Sequence, residues 1–421
     1  METRAHNAFG RFVAAAGLAN LADGIAALAW AWVASLLTRD ALLIALVPVA
    51  LRLPWFLCAI PAGIVADRVD RRRLILAMDG VRAAAFAAAG LALWQAGTLP
   101  PAPETGVSAP GLFAAVALAA LVVGVAEVFR DNAAQTILPA LVPAARLEAA
   151  NGRLWSVEIV ANALVGPPLA ALLLGVALAL PFAANVALYG LAMALVAGLG
   201  GRFRANGAAP VPRDWRRELR EGVRFLAGQP LLRLLAVVTG VWNLFFQMQA
   251  IALILFVQEV VGVGATGYGL ILGAGAVGGV LAGWLSAPIV RRLGPGRSAQ
   301  IALLASPPCF AAMVLFPDPW ALAAALAVFE FFGILWNTVS VSYRQRTIPD
   351  AVLGRVNSLY RLLAWGMMPL GLLLSGAAVN LAATLAPREI ALGVPFWLAA
   401  AGTAGLAAAA WRGIGRGLTR R

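Results

Sequence analysis

The sequence predicts an all-α membrane protein with about 12 transmembrane helices, in two six-helix bundles related by pseudo-two-fold symmetry. Two observations support this prediction. Hydrophobic residues make up 62% of the chain and charged residues only 12%, whereas soluble domains carry roughly 25% charged residues. The arginines lie in short clusters between long apolar runs, so the chain alternates between segments suited to hydrocarbon and segments suited to water.

The apolar runs have the length needed to cross a hydrocarbon core of roughly 30 Å, and charges or Pro and Gly bound them. In the first half they cover residues 10–37, 41–66, 74–97, 111–133, 152–179 and 181–201. In the second half they cover residues 234–258, 267–290, 298–316, 320–343, 357–381 and 391–411. We therefore expect an N-terminal six-helix bundle (1–201), a cytoplasmic linker (202–233) and a C-terminal six-helix bundle (234–421).

Within the linker, Trp215, Leu219, Val223 and Leu226 recur at helical spacing and predict a short amphipathic helix over Asp214–Leu226.

The arginines also predict the orientation of the chain. With a cytoplasmic N-terminus, the outside loops hold only Arg39 and Arg388. Because all 32 basic residues are Arg, with 43 Gly, the genome is expected to be GC-rich. We predict a multi-pass protein of the bacterial inner (cytoplasmic) membrane with both termini in the cytoplasm.

Composition argues against several other classes of protein. One His and two Cys, both within apolar runs, offer no metal site and no catalytic triad. A chain without Lys has no phosphate-binding loop of the G-x-x-x-x-G-K-S/T kind. The net charge of +13 is spread over short loops and forms no compact basic domain, so no nucleic-acid partner is expected. We expect no enzyme activity, no catalytic residue, no metal and no cofactor.

The two halves resemble each other after the fourth helix of each. Pro143–Asn151 and Pro349–Asn357 both place an Asn at the same distance after a Pro and lead into a long apolar run. Duplication explains both segments. Duplicated bundles in transporters commonly enclose a site near the bilayer midplane and expose it alternately to the two sides of the membrane.

The most specific local feature is the segment Ala62–Arg73, in which a glycine at a helix end precedes an acid and an arginine cluster. Gly63 is expected to allow close approach of a neighbouring helix, and Asp67 to pair with Arg and hold the cytoplasmic side of a bundle closed. The alternative is an ordinary cytoplasmic loop that follows the positive-inside rule. Such a loop would need the arginines but not Gly63 and Asp67 at fixed positions ahead of them.

This segment resembles the G-x-x-x-D-R-x-x-R-R signature of the major facilitator superfamily, and the resemblance extends over the whole chain. It implies a gate that locks the outward-facing state. A degenerate copy at Gly283–Gly294 has Ala287 in place of the acid. The expected gate residues are Gly63, Asp67, Arg68, Arg71 and Arg72, together with Arg130 of the fourth helix, which is expected to reach Asp67.

Leu138–Asn151 and Gly354–Gly371 resemble the enterobactin and macrolide exporter branch of the superfamily, which implies export. Only Gly166-Pro167-Pro168 remains of the glycine-rich helix-five motif typical of proton antiporters, and this triplet is either a remnant of that motif or a simple kink.

Ionisable groups inside apolar runs are costly, so each is a candidate for proton coupling or substrate binding. Asp23 and Arg52 lie near the midplane and could form an ion pair, which is either structural or contains an Asp23 that responds to protons or substrate. Asp79 and Arg82 are expected to pair within one helix. An acid beside aromatic residues, Glu330, suits either a cationic substrate or a helix–helix hydrogen bond. The candidates are Asp23, Arg52, Glu127, Glu158, Glu330, Asn243, Gln247 and Trp336.

The predicted function is secondary transport. We expect alternating-access export of a small amphipathic molecule, such as a drug-like compound, siderophore or natural product, driven by proton antiport. A flippase for lipids or lysophospholipids, or a solute importer of the same fold, is the alternative. The expected partners are the small-molecule substrate, protons and membrane lipids, with the chain acting as a monomer.

Overall fold

A computed structural model describes residues 2–143, 147–201, 203, 220, 223–348, 356, 359–360 and 362–419. It does not describe the side chains of residues 2–7, 59, 60, 67, 148, 149, 345 and 419. Across the described residues the chain is helical, with no β-strand.

The helices of the first half are α1 (Glu2–Leu37), α2 (Ala41–Leu57), α3 (Ala59–Arg68), α4 (Arg71–Ala96), α5 (Pro110–Leu141), α6 (Leu147–Glu158), α7 (Gly166–Val176) and α8 (Leu180–Ala197). Those of the second half are α9 (Pro230–Phe256), α10 (Ala265–Leu293), α11 (Pro295–Leu315), α12 (Pro319–Thr347), α13 (Met367–Ala383) and α14 (Arg388–Thr419). A π-helical segment, Ile159–Val165, joins α6 to α7, and another, Val257–Val261, extends α9.

Eleven helical stretches in the described ranges are long and apolar enough to cross a membrane, and α2 is a shorter apolar helix of 17 residues. Large apolar side chains are exposed along them, such as Trp94, Leu118 and Trp284, as expected where lipid replaces water as the solvent. The prediction of an all-α membrane protein is therefore confirmed, and the count agrees approximately with the predicted 12.

The second predicted run, 41–66, is not one continuous helix. Asp40 caps the start of α2 by accepting hydrogen bonds from the N–H groups of Leu42 and Leu43. The helix ends at Cys58, and α3 begins at Ala59. Pro61 lacks the N–H that would donate to the carbonyl of Leu57, so the α-helical ladder is interrupted at this point.

The helix that contains Gly166 changes its winding just before that residue, in the π-helical segment Ile159–Val165. Pro167 and Pro168 remove two backbone donors, which accounts for the irregular turn. Gly166 also meets α1, since a Cβ placed on it would lie 2.6 Å from the Cα of Gly24. The triplet therefore serves the packing of α7 against α1 as well as the irregular winding.

The chain divides into two compact units. The first consists of Met1–Ala209 with Gly264–Gly273, and the second of Pro210–Val263 with Ala274–Arg421. The first turns of α10 thus belong to the first unit, where the ring of Tyr268 lies 5.8 Å from that of Trp32. Each unit has its own apolar core, centred on residues such as Ile75 and Ile137 in the first and Leu235 and Ile414 in the second.

Several predicted features lie wholly or partly outside the described residues. These are the acidic side chain of Asp67, parts of the repeated segments Pro143–Asn151 and Pro349–Asn357, and most of the linker helix Asp214–Leu226. At the end of that linker, residues 223–227 are helical, with Val223 exposed and Leu226 buried against Leu232.

Candidate functional site

Charged side chains from three helices and a tyrosine from a fourth meet inside the first unit. Arg82 of α4 contacts Asp23 of α1 directly, and its Nη1 lies 3.6 Å from Oδ1 of Asp79. Arg130 of α5 places Nε 3.5 Å from the same Asp79 oxygen and donates from Nη1 to Asp131 at 3.2 Å. Tyr189 of α8 donates its O–H to Asp23 at 2.7 Å. We call these six residues the charge cluster.

Burial differs among the acids of the charge cluster. The side chains of Asp79 and Arg82 are fully buried, whereas that of Asp23 is 19% exposed and that of Asp131 is 32% exposed. Charges in such surroundings persist only when they are paired. Three carboxylates meet two guanidinium groups, so the cluster has one more acid than base. Glu127, one turn before Arg130 on α5, adds a further partly buried acid.

Aromatic rings hold the charge cluster in place. The guanidinium of Arg82 lies 4.3 Å from the ring centre of Tyr189, in the geometry of a cation–π contact. Tyr189 in turn stacks on Phe86 with centroids 5.8 Å apart, and Phe86 lies 5.1 Å from Trp30. Since these rings are buried, Arg82 has little freedom to leave its carboxylate partners.

The predicted pair of Asp23 with Arg52 is wrong. Arg82 occupies the place expected for Arg52, whose side chain is exposed on α2. Of the two arginines, only Arg82 contacts Asp23 in the described part of the chain. The predicted pair within α4, Asp79 with Arg82, is present.

The expected gate residues are only partly brought together. Arg130 faces Asp79 and Asp131, and its predicted partner Asp67 has a side chain outside the described residues. Gly63 was expected to allow close helix approach, but no described atom lies within 4 Å of a Cβ placed there. This reason for Gly63 is wrong, because the surrounding space is open. Arg68 is exposed.

The rest of the loop after α3 connects the start of α4 with the end of α8 and with Phe203. Arg72 donates to the carbonyl of Ala197 at the end of α8. The backbone N–H of Arg71 donates to the carbonyl of Phe203 at 3.3 Å. Asp70 accepts from the N–H of Arg73 at 3.1 Å, which caps α4, and from the N–H of Phe203 at 3.0 Å. Sequence reasoning did not assign a role to Asp70 or Phe203.

Two of the predicted site residues in the second unit, Trp336 and Asn243, make hydrogen bonds between helices. Trp336 donates from Nε1 to Thr239 Oγ1 at 3.1 Å. Asn243 donates to the carbonyl of Ala364 at 2.9 Å, so its amide is engaged in packing. Gln247 packs beside Gly371. These contacts hold α9 against α12 and α13.

The two remaining acids have no charged partner in the described part of the chain. Glu330 is partly buried on α12 and makes no hydrogen bond or ion pair there, so the helix–helix hydrogen bond considered for it is absent among these residues. Glu158 lies exposed at the end of α6. No group of three or more His, Cys, Asp or Glu in the described ranges could hold a metal ion.

Sequence reasoning missed Tyr189. The chain has only four Tyr, and Tyr189 follows Asn185 by one helical turn in an otherwise apolar helix. This i, i+4 polar pair was the available signal for an inward polar face on α8.

Solved structures with the same fold cover nearly the whole chain. A bacterial homologue of the iron transporter ferroportin matches with a TM-score of 0.74 and 16% identity over 100% of both chains. A variant of the nucleoside transporter NupG matches with a TM-score of 0.75 and 14% identity, over 97% of this chain and 99% of that chain. A bacterial homologue of the human lysosomal transporter Spinster matches with a TM-score of 0.67 and 15% identity, over 99% of this chain and 97% of that chain. At such identities the likeness shows the fold alone.

Curated protein sequences give no significant match. A family model described as transmembrane secretion effector matches residues 4–409. The chain therefore belongs to this family of the major facilitator superfamily and is a membrane transporter, not an enzyme.

Proposed function

We propose that this transporter exports a small amphipathic molecule by alternating access, in exchange for protons. The observation that carries the proposal is the charge cluster, which brings three carboxylates and two guanidinium groups together on helices long and apolar enough to span a membrane. Its excess of one acid lets it take up a proton without creating an unpaired positive charge. Intramembrane acids of this kind commonly form proton relays.

Asp23 is the acid best placed to receive the proton. Its side chain is 19% exposed, whereas Asp79 is fully buried between two arginines. Asp131 is 32% exposed, but it pairs with Arg130 of its own helix, so its protonation would leave the contacts between helices in place. A neutral Asp23 no longer attracts Arg82 electrostatically, so Arg82 is drawn toward Asp79 alone. Asp79 also holds Arg130, so one proton changes the balance of forces among α1, α4 and α5. We propose that this change is what couples protonation to the movement of helices.

Export is the favoured direction because the matching family is one of secretion effectors. The acid and arginines after α3 also resemble the gate signature of the superfamily, and we retain Gly63, Asp67, Arg68, Arg71, Arg72 and Arg130 as the proposed gate. The arginine distribution supports an inner-membrane location with cytoplasmic termini. The likeness to enterobactin and macrolide exporters supports siderophores or natural products as cargo.

Everted membrane vesicles with an imposed pH gradient test the proposal. Uptake of an amphipathic dye such as Hoechst should follow the gradient in the natural protein and lose that dependence in Asp23→Asn. Glu104→Gln, which alters an exposed loop acid of the same unit, is the matched control and should transport normally. Uptake that ignores the gradient in the natural protein would contradict proton antiport.

The same vesicles distinguish the alternative functions. Movement of a labelled lysophospholipid between leaflets, independent of the gradient, would favour a flippase. Accumulation in right-side-out vesicles rather than everted ones would favour an importer.

A further inference from the structure

Glu330 differs from the acids of the charge cluster in having no ion-pair partner in the described ranges of the chain. It lies near the middle of α12, a helix long and apolar enough to span the membrane. Its carboxylate has no ion-pair or hydrogen-bond partner among the described residues, although it is partly accessible. An ionised carboxylate in such a place costs several kcal/mol unless a proton or a cation accompanies it.

The neighbouring helix leaves room for the Glu330 side chain. α10 presents Gly275 at this level, where a Cβ would lie 3.4 Å from Glu330 Cγ and 2.9 Å from Leu326 Cγ. One turn away, Gly278 lies against the backbone of Ala327. The glycines bring α10 close to α12 at the level of Glu330.

A wall of nearly parallel aromatic rings packs against α12 beside the positions that flank Glu330. Phe329 stacks on Trp242 with centroids 4.8 Å apart and planes 2° apart, and Phe246 lies 5.4 Å from Phe329. Trp242 packs over Gly333, which follows Glu330 by one helical turn and so shares its face of α12. A hydrogen bond of 2.9 Å from Trp242 Nε1 to Ser306 fixes the indole. Trp242 and Phe246 are only partly buried, so they retain accessible apolar surface.

We propose that Glu330 and the rings of Trp242 and Phe246 bind the cargo, and that the cargo is an amphipathic organic cation. The carboxylate compensates the positive charge, and the flat rings receive the apolar part and add cation–π attraction. The inference rests on the proposed transport function. It assigns cargo binding to the second unit and proton uptake to the charge cluster of the first.

Direct binding to the purified full-length protein tests this assignment without requiring transport. The probe is tetraphenylphosphonium, and tetraphenylborate is an anion of the same shape. The natural protein should prefer the cation clearly. Glu330→Gln should lower its affinity for the cation at least about tenfold and leave binding of the anion unchanged or stronger. Glu330→Asp should retain part of the affinity. Glu389→Gln, which alters an exposed acid of the same unit, should bind as the natural protein does.

Two outcomes would overturn the inference: equal binding of cation and anion by the natural protein, or unchanged cation affinity in Glu330→Gln. Tryptophan fluorescence during thermal unfolding checks that each variant is folded. Phe246→Leu provides a second test, in which the affinity for the cation should fall a few fold.

Asp23→Asn separates the two proposals. It should bind the cation normally while losing gradient-driven transport, and retained gradient dependence would contradict proton uptake at Asp23 but not cation binding at Glu330.

Discussion

Tyr189 and Arg82 contact the same oxygen of Asp23. The phenolic O–H donates to Oδ1 at 2.7 Å, and Nη2 of Arg82 meets that same Oδ1. Oδ2 of Asp23 makes no hydrogen bond among the described residues. One oxygen of this carboxylate is therefore anchored, while the other is available in a side chain that is 19% exposed. An incoming proton would bind to Oδ2 without first displacing the anchor.

Tyr189→Phe should alter the proton response while preserving the fold. The ring keeps its stacking on Phe86, but Asp23 loses a donor, which is worth about 1.5–3 kcal/mol for a hydrogen bond to a charged group. We expect lower thermal stability and a shifted pH profile of transport. Tyr268→Phe is the control, since Tyr268 is a buried tyrosine of the same unit that does not contact the charge cluster among the described residues. Equal pH profiles for the two variants would argue against a role of Tyr189 in positioning Asp23.

Arg82→Gln should destabilise the first unit strongly. The side chain is fully buried and pairs with two carboxylates, so its removal leaves Asp23 without a cation and the buried Asp79 with Arg130 alone, at a cost of about 3–5 kcal/mol. The double variant Asp79→Asn with Arg82→Gln should recover part of this loss, because it removes the buried acid that Arg130 alone would otherwise have to compensate. Unfolding temperatures in detergent provide the measurement, and a double variant less stable than Arg82→Gln would contradict the pairing.

Gly24 and Gly63 should respond oppositely to alanine. A Cβ on Gly24 would overlap the backbone of Asn162, which cannot move aside as a side chain can, so we expect a loss of at least about 2 kcal/mol. Gly63 has open space around it, and Gly63→Ala should leave stability within about 0.5 kcal/mol of the natural protein or raise it. If Gly63→Ala nevertheless abolishes transport, we would infer that Gly63 is needed for close helix packing in another conformation of the transporter.

The cap at Asp70 should make stability depend on pH in the acidic range. Burial raises the pKa of Asp70, but the backbone N–H groups of Arg73 and Phe203 outweigh it, so the pKa lies below its ordinary value of 3.8. A carboxylate with a lowered folded-state pKa stabilises the protein above its unfolded pKa and loses that effect as the pH falls through the folded value.

Asp70→Ala should accordingly cost about 0.5–2 kcal/mol near neutral pH, the usual cost of losing such a cap. The stability difference between the two proteins should hold down to about pH 5 and shrink below pH 3.8. A difference that stays constant to the lowest accessible pH would show that the Asp70 charge does not contribute.

Much of the fold could be predicted from the sequence because hydrocarbon imposes a minimum length on each apolar run. The exception, α2, shows the limit of that rule. Its run is long enough, but Pro61 withdraws one backbone donor and the helix breaks at Cys58. Hydropathy averages over such single residues, whereas the hydrogen-bond ladder depends on each of them.

The charge cluster was harder to predict because it depends on the rotation of each helix about its axis. Depth along a helix can be counted from the sequence, which placed Asp23 and Arg52 at one level. The direction of each side chain is set by tertiary packing, and that packing brings Arg82, not Arg52, into contact with Asp23. Pairs within one helix need no such knowledge, which is why Asp79 with Arg82 was predicted correctly.

The double hydrogen bond between Phe203 and the loop after α3 also indicates where the polypeptide can be cut. Phe203 is buried among residues of the first bundle, and its backbone N–H and carbonyl bond to Asp70 and Arg71. A transporter assembled from two co-expressed fragments should therefore tolerate a break between Phe203 and Pro230. A break on the other side of Phe203 would separate this anchor from the bundle it completes, and the fragments should assemble poorly.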